Sequence, residues 1–241
     1  MNNQPLSILY QDDCVIAINK PSGLLVHRSP LDKRAQHFAV QQLRDQVGRH
    51  VYPVHRLDRP TSGVLLFAFS PDTVALLQKN WDRGVQKRYQ ALVRGWVKGA
   101  GIIDYPLRYE PDKIAEKHKR EDNVQQAMSY YQSIQHYQAP YPVGRYKTGR
   151  YSLVELGLYT GRKHQLRRHM AHIRHPIVGD TTHGDGKQNA FMRAQFGCEH
   201  LALSCISIQF VHPKTGRTVM VSSPRSENFE SCLTQLAQFS L

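Results

Sequence analysis

The hydrophobic pattern is strongest at residues 64–69, where six apolar residues follow one another without a polar break. A run of this length is too short to cross a membrane and is typical of a strand buried on both faces. It directly follows a charged, turn-forming segment, His55 to Gly63, so Asp58 lies where a turn meets a core strand. Carboxylates are rarely buried without a partner, which leaves both a structural ion pair and a chemical role open. From this segment alone the structural interpretation is favoured, because structural networks perturb carboxylates as well.

Alternation of apolar and polar residues predicts further elements on both sides of this strand. The predicted strands cover residues 8–10, 14–19, 87–97, 127–137, 151–160, 201–210 and 217–221. The predicted helices cover 36–47, 71–84, a segment from 164 to about Pro176, and a C-terminal segment containing Phe229, Cys232, Leu233 and Leu236. Residues 108–122 are rich in both charges and predict a solvated loop. Long crossover helices are scarce, so we expect antiparallel strands in a mostly β, mixed sheet.

Composition narrows the class of partner. The 241 residues are 40% hydrophobic, enough for a sizeable core in one domain or two closely packed halves. Lys and Arg total 32 against 19 Asp and Glu, a formal net charge of +13. Such an excess points to nucleic acid or an anionic membrane, although many basic proteins bind neither. Positive charge is concentrated between Gly144 and His175, where the single acid is Glu155.

Cysteine and histidine spacing argues against a metal site or a disulfide framework. The four cysteines form no C-x-x-C pair, which fits a reducing cytosol. No standard zinc spacing is found in the two candidate clusters, which are Cys198, His200 and Cys205, and His164, His169, His172 and His175. The first thirteen residues show no secretion signal. We therefore expect a cytoplasmic protein without metal or cofactor.

Four separated motifs together resemble a known family. His55-Arg56-Leu57-Asp58 with Thr61-Ser62-Gly63, and Thr160-Gly161-Arg162 with His164-Gln165-Leu166-Arg167, resemble two signatures of the RluA-type pseudouridine synthases. Lys20-Pro21-Ser22-Gly23 resembles their first motif, and Lys87-Arg88-Tyr89 their tyrosine-bearing one. Order and intervals also match, from roughly Ile8 to Pro224. Each motif alone is a weak signal, but the combination is specific.

The resemblance implies the pseudouridine synthase catalytic core. This is an α+β fold with a long mixed, mainly antiparallel sheet, flanking helices and a central active-site cleft. We expect a single catalytic domain over residues 1–241, without an N-terminal S4 RNA-binding module.

The resemblance also implies roles for individual residues. Asp58 would be the nucleophile, and Arg167 would pair with it and orient it. Tyr89 would stack on the target uracil and act as a base. Arg56 would fill the space left by a flipped nucleotide, and Leu166 would wall the pocket. The side chains expected to hold RNA phosphates are Arg162, Lys163 and Arg168, within a basic surface from Arg145 to Arg174.

These roles describe the isomerisation of uridine to pseudouridine. A carboxylate can add to an electrophilic carbon of the nucleotide, at sugar C1′ or base C6, or stabilise an oxocarbenium-like charge, and the sequence does not choose among these routes. Glycoside hydrolysis would call for a second carboxylate. The motif segments contain none, which fits a reaction that retains the base.

The substrate expectation also rests on the resemblance. The whole pattern most resembles the branch of the family that isomerises uridine 65 in the T-arm stem of tRNA. The alternatives are an enzyme for large-subunit rRNA or for both RNAs, and a basic RNA-binding protein without catalysis. We expect a monomer that binds tRNA and contacts neither a membrane nor an obligate protein partner.

Overall fold

The computed structural model describes residues 5–27, 37–79, 81–109 and 123–241. The strands are β1 (Ser7–Gln11), β2 (Val15–Lys20), β3 (Tyr52–Pro53), β4 (Ser62–Ala68), β5 (Gln86–Arg94), β6 (Ala100–Asp104), β7 (Leu107–Arg108), β8 (Val124–Gln125), β9 (Met128–Ala139), β10 (Gly149–Leu158), β11 (Leu203–Val211) and β12 (Thr218–Ser222). The helices are α1 (Ala39–Val47), α2 (Pro71–Lys79), α3 (Trp81–Gly84), α4 (Gln165–His172), α5 (Gly186–Phe196) and α6 (Glu227–Leu236), followed by a 3₁₀ turn at Ala237–Phe239. Within these described residues no helix is long and apolar enough to span a membrane.

The chain divides into two compact units, and the first is built around β4. This unit contains Met1–Lys87, Arg108–Val124 and Ile206–Pro224. Strand β2 pairs antiparallel with β1 on one side and with β4 on the other. Every residue of β4 is buried, which confirms the prediction of a strand covered on both faces. Strands β11 and β12 form the predicted hairpin.

The second unit contains Arg88–Leu107, Gln125–Cys205 and Arg225–Leu241. Its strands pair antiparallel in the order β5-β10-β9-β6. Helix α6 buries the four apolar residues predicted from its spacing, in a core shared with Tyr151, Met192 and Phe196. Helix α5 was not predicted: its buried residues include two amides, Gln188 and Asn189, so its apolar periodicity is weak.

Two helix boundaries differ from the sequence predictions. Helix α1 begins at Ala39 rather than 36, because Phe38 is extended and forms a β-bridge with Leu25. The segment predicted as one helix over 71–84 is described as α2 and α3, and Asn80, the residue between them, lies outside the described residues. Helix α4 ends at His172, because Arg174 adopts a left-handed conformation, φ 67°. Of the predicted loop 108–122, residues 110–122 lie outside the described part.

Candidate active site

Asp58 lies in the tight connection that leads into β4. Its carbonyl oxygen accepts a hydrogen bond from the Thr61 N–H at 3.0 Å, which closes a turn immediately before the strand. Because β4 is wholly buried, the end of this turn is fixed by the core of the first unit. The Asp58 side chain is half-buried and that of Arg56 is exposed, so the turn presents polar groups at the edge of a buried strand.

The turn at Lys20-Pro21-Ser22-Gly23 holds this connection from the other side. The Gly23 N–H donates to the Arg59 carbonyl at 2.9 Å, and Arg59 Nε donates back to the Gly23 carbonyl at 3.1 Å. Ser22 Oγ donates to the Pro60 carbonyl at 2.7 Å. Gly23 has φ +85°, a conformation that favours glycine. The segment resembling the first motif is therefore a clamp on the segment that carries Asp58.

Lys20 is the buried centre of that clamp. Its side chain is fully buried, and Nζ donates to the carbonyl oxygens of Pro21 at 2.9 Å, Leu24 at 2.9 Å and Arg59 at 3.1 Å. Burial lowers the pKa of Lys20 to about 7, while the nearby Asp58 carboxylate acts in the opposite direction. A titratable ammonium thus lies beside the candidate nucleophile.

His55 has a structural role in the same connection. Its Nε2 accepts from the Leu66 N–H at 3.2 Å, and its ring packs against Trp81 with centroids 5.5 Å apart. Burial, with a further contribution from Lys87, lowers the pKa of His55 to about 3. The ring is therefore neutral at physiological pH and fixes the turn to β4.

In the second unit a buried glutamine shapes the loop before α4. Gln165 Oε1 accepts from Thr160 Oγ1 at 2.8 Å and from the Arg162 N–H at 3.0 Å. Its Nε2 donates to the Met128 carbonyl at 3.0 Å and to Ser129 Oγ at 2.8 Å. The loop that carries Arg162 and the exposed Lys163 is thus tied to the end of β10 and the start of β9.

Arg167 and Asp180 form a buried ion pair. Arg167 Nε donates to Asp180 Oδ2 and Nη2 to Oδ1, both at 2.8 Å, the two-point geometry that arginine forms with carboxylates. Burial would raise the pKa of Asp180, but hydrogen bonds from Arg167 and from the backbone N–H groups of His183 and Thr182 outweigh it and lower the pKa to about 2. The guanidinium plane is consequently fixed by a carboxylate that is ionised throughout the physiological pH range.

This pair corrects the picture of α4 drawn from its spacing. The pattern places Arg167, Arg168 and Arg174 toward the edges of the apolar stripe, on a basic surface. Arg168 is half-buried and Arg174 exposed, whereas Arg167 is only 3% exposed. Asp180 explains the difference, because a buried guanidinium needs a charged partner. Arg167 therefore belongs to the interior of its unit rather than to the exposed basic surface.

The remaining site residues also have defined positions. Tyr89 lies on β5 opposite Leu156 of β10 and is buried, as is Leu166 on α4. Arg162 and Lys163 are exposed in the loop before α4. Arg56 and Asp58 belong to the first unit, and the other six residues with predicted roles belong to the second. Within the second unit, α4 and its preceding loop bring together Arg162, Lys163, Leu166, Arg167 and Arg168.

Two residues beside the site were not assigned there from the sequence. Asp180 follows the apolar pair Ile177-Val178 and a glycine, so it stands at the end of a buried segment much as Asp58 stands at the start of one. That placement was the available signal for a buried acid. Lys20 was named only within the segment that resembles the first motif, and no spacing rule indicates that its ammonium is enclosed.

One group among the described residues brings together possible metal ligands, namely Asp12, Cys14 and His212. His212 Nδ1 accepts from the backbone N–H groups of Lys214 and Thr215 at 3.3 and 3.1 Å, so the ring proton is on Nε2. Nε2 lies 3.0 Å from Asp12 Oδ2. A metal-bound histidine uses an unprotonated nitrogen and donates from the other one, the reverse of this arrangement. The group is better described as a link between the β1–β2 and β11–β12 turns.

Comparisons with known proteins agree with the motifs. Proteins named tRNA pseudouridine synthase C are 47% identical in Vibrio parahaemolyticus, over 95% of this chain and 94% of the relative, and 50% identical in Vibrio vulnificus, over 90% and 89%. The solved structure of human RNA Pseudouridylate Synthase Domain Containing 4 has the same fold, with a TM-score of 0.72 at 24% identity over 96% of this chain and 93% of that one. This likeness confirms the predicted pseudouridine synthase fold of the α+β class. A family model described as RNA pseudouridylate synthase matches residues 14–172. The chain therefore belongs to the RNA pseudouridylate synthase family, a family of isomerases, as its motifs predicted.

Proposed function

We propose that this protein is a tRNA pseudouridine synthase that isomerises uridine 65 in the T-arm stem, with Asp58 as nucleophile. The observation that carries the chemical part is the fixed connection before β4, which holds a half-buried carboxylate between a clamped turn and a buried strand. A nucleophile held in this way needs little reorganisation when substrate binds. The choice of tRNA rests on the names of the relatives, which are 47% and 50% identical.

In the proposed reaction Asp58 adds to the flipped nucleotide, the N1–C1′ bond breaks, C5 of the rotated base joins C1′, and the bond to Asp58 then breaks and frees the carboxylate. A uridine paired in a stem cannot be reached by a side chain, so the nucleotide must leave the helix at a cost of a few kcal/mol. Arg56, which is exposed, is proposed to occupy the space left behind. Tyr89 stacks on the uracil and removes the proton from C5, while N1 takes up a proton, so that no proton is lost overall. Arg167 is proposed to pair with Asp58.

The exposed cations of the loop before α4 are proposed to bind the RNA backbone. Arg162 and Lys163, with Arg168 on the helix itself, present positive charge in a chain of net charge +13. Contacts of this kind set affinity and register without reading sequence. We further propose that the enzyme acts in the cytoplasm as a monomer, where its four free thiols stay reduced.

The test of the chemistry is Asp58→Asn, which preserves shape and removes the nucleophilic carboxylate. We expect no pseudouridine formation, measured by tritium release from tRNA labelled at uracil C5, while tRNA binding stays within a few fold. The control is Asp72→Asn, an exposed acid on α2 that should retain full activity. Substantial turnover by Asp58→Asn would refute the proposed mechanism. An inactive wild-type protein would favour an RNA-binding role without catalysis.

The test of the substrate is a map of pseudouridines in total RNA from cells lacking the protein. We expect one missing modification, at position 65 in the T arm of tRNA. A loss confined to 23S rRNA with the T arm unchanged would show that the protein belongs to an rRNA-modifying branch.

A further inference from the structure

Two histidines connect the start of α4 to the loop that contains Asp180. His164 Nδ1 and His183 Nε2 are 3.0 Å apart and share a hydrogen bond. Their rings meet edge to face, with centroids 5.2 Å apart. His164 is the N-cap residue of α4, and His183 lies three residues after Asp180. Neither ring has a role in the proposed chemistry.

This bond closes a ring of contacts around Arg167. From Arg167 the ring runs through the two-point pair to Asp180, whose Oδ1 also accepts from the His183 N–H at 3.0 Å. It then passes through the His183 side chain to His164, three residues before Arg167 on the same helix. The Asp180 loop is thus attached to α4 at two points, and the second point is the histidine pair.

The backbone of His164 adopts an uncommon conformation that places its ring against His183. His164 has φ 54° and ψ 25°, a left-handed conformation that is uncommon outside glycine, although histidine adopts it more often than most residues. Its side chain makes no capping hydrogen bond to α4 and is directed to His183 instead. Strained residues of this kind persist where neighbouring contacts determine them, and they concentrate at functional sites.

We propose that His164 and His183 form a positioning pair that sets the orientation of the Arg167 guanidinium for the reaction. The proposal rests on the proposed function, in which Arg167 pairs with the nucleophile. Asn189 Nδ2 donates to the Asp180 carbonyl oxygen at 2.8 Å, so we expect the loop to stay folded when the pair is lost. Without the pair, the part of the loop that contains His183 is no longer attached to α4. The orientation of the Asp180 carboxylate, which fixes the guanidinium plane, can then change.

The experiment compares two substitutions of nearly equal shape at one position. His183→Gln retains a nitrogen close to the place of Nε2, whereas His183→Met does not. We expect kcat for pseudouridine formation to fall about tenfold in His183→Met, since small misplacements of catalytic groups cost one to two powers of ten. His183→Gln should stay within about threefold of wild type, and the tRNA dissociation constant should change less than twofold in both.

A double-mutant cycle tests whether the two rings act together. His164→Gly removes the other ring in a residue suited to the left-handed conformation. We expect the double variant His164→Gly/His183→Met to be no slower than either single variant, because one hydrogen bond is lost in every case. The control is His200→Ala, an exposed histidine of the same unit, which should retain wild-type kcat.

Several outcomes would overturn the proposal while leaving the proposed function intact. They are an unchanged kcat in His183→Met, equal losses in His183→Met and His183→Gln, multiplicative losses in the double variant, and a defect confined to tRNA binding. An inactive wild-type enzyme would instead refute the proposed function itself.

Discussion

At the scale of single residues, the two units handle buried charge in different ways. Lys20 is surrounded by three carbonyl oxygens, and the carboxylate that acts on its charge is that of Asp58. Asp180 is matched by a guanidinium and two backbone N–H groups. Burial lowers the pKa of Lys20 although Asp58 acts in the opposite direction, whereas the hydrogen bonds to Asp180 lower the pKa of that carboxyl and hold it ionised. The two groups should therefore respond to pH in different ranges.

The pKa of Lys20 leads to a prediction about stability. With a folded pKa of about 7 and an unfolded value of about 10.4, the unfolded chain holds more protons between those limits, so stability rises with pH there. Below pH 7 this contribution is flat. We expect one lysine ¹³Cε resonance to titrate near pH 7, to vanish in Lys20→Met, and to remain in Lys214→Met. If no lysine titrates below pH 9, the three carbonyl groups keep the ammonium charged.

At the scale of elements, the loop between Asp180 and α5 has a steric requirement of its own. A Cβ at Gly184 would lie 2.1 Å from the Asp180 carbonyl oxygen, which is backbone and cannot move aside. A Cβ at Gly186, two residues further on, would meet nothing within 4 Å. The turn therefore requires glycine at position 184 and tolerates a side chain at position 186.

Gly184→Ala should consequently destabilise the protein and slow the reaction. We expect a loss of about 1–3 kcal/mol, seen as a fall of several degrees in Tm, together with lower kcat as Asp180 moves. Gly186→Ala is the matched control, and it should keep wild-type activity with equal or slightly higher Tm, since alanine favours the first turn of α5. Equal Tm values for the two variants would contradict this steric requirement.

Individual elements show which parts of the fold a sequence pattern is enough to predict. The unbroken apolar run of β4 and the apolar spacing of α6 were enough to predict both, because each pattern reflects one kind of burial. The start of α1 was missed because Phe38 is held extended by a bridge to Leu25, a tertiary contact that apolar spacing does not report. The ion pair between Arg167 and Asp180 was missed for the same reason. Motifs marked the arginine, but only the folded loop brings Asp180 to it.

At the scale of the whole molecule, net charge sets the terms of RNA binding. A chain with a net charge of +13 attracts any polyanion, so affinity alone does not report a specific complex. The salt dependence of binding reports how many phosphates are neutralised. Composition pointed to nucleic acid or an anionic membrane, and the motif resemblance named Arg162, Lys163 and Arg168; the structure adds that Arg162 and Lys163 are exposed in the loop before α4.

That loop yields a quantitative expectation. Arg162→Ala and Lys163→Ala should each reduce the slope of log K for tRNA against log salt concentration by about one, and the double variant by about two. Filter binding at a series of salt concentrations measures the slope. Lys214→Ala, an exposed lysine in the turn between β11 and β12, should leave it unchanged. A slope unaffected by the double variant would place the RNA on another surface.

The buried strand β4 has a consequence for how the chain folds. Register between strands is normally selected by alternating polar and apolar faces, and a slip by one residue is penalised because it exposes the wrong face. β4 is buried throughout, so a slipped alignment against β2 would incur little of that penalty. Polar contacts at the end of the pair must select the alignment instead. Lys20 stands opposite Gly63 and donates to the Arg59 carbonyl oxygen. The clamp that fixes Asp58 therefore also favours the correct register of β2 and β4 over registers shifted by one residue.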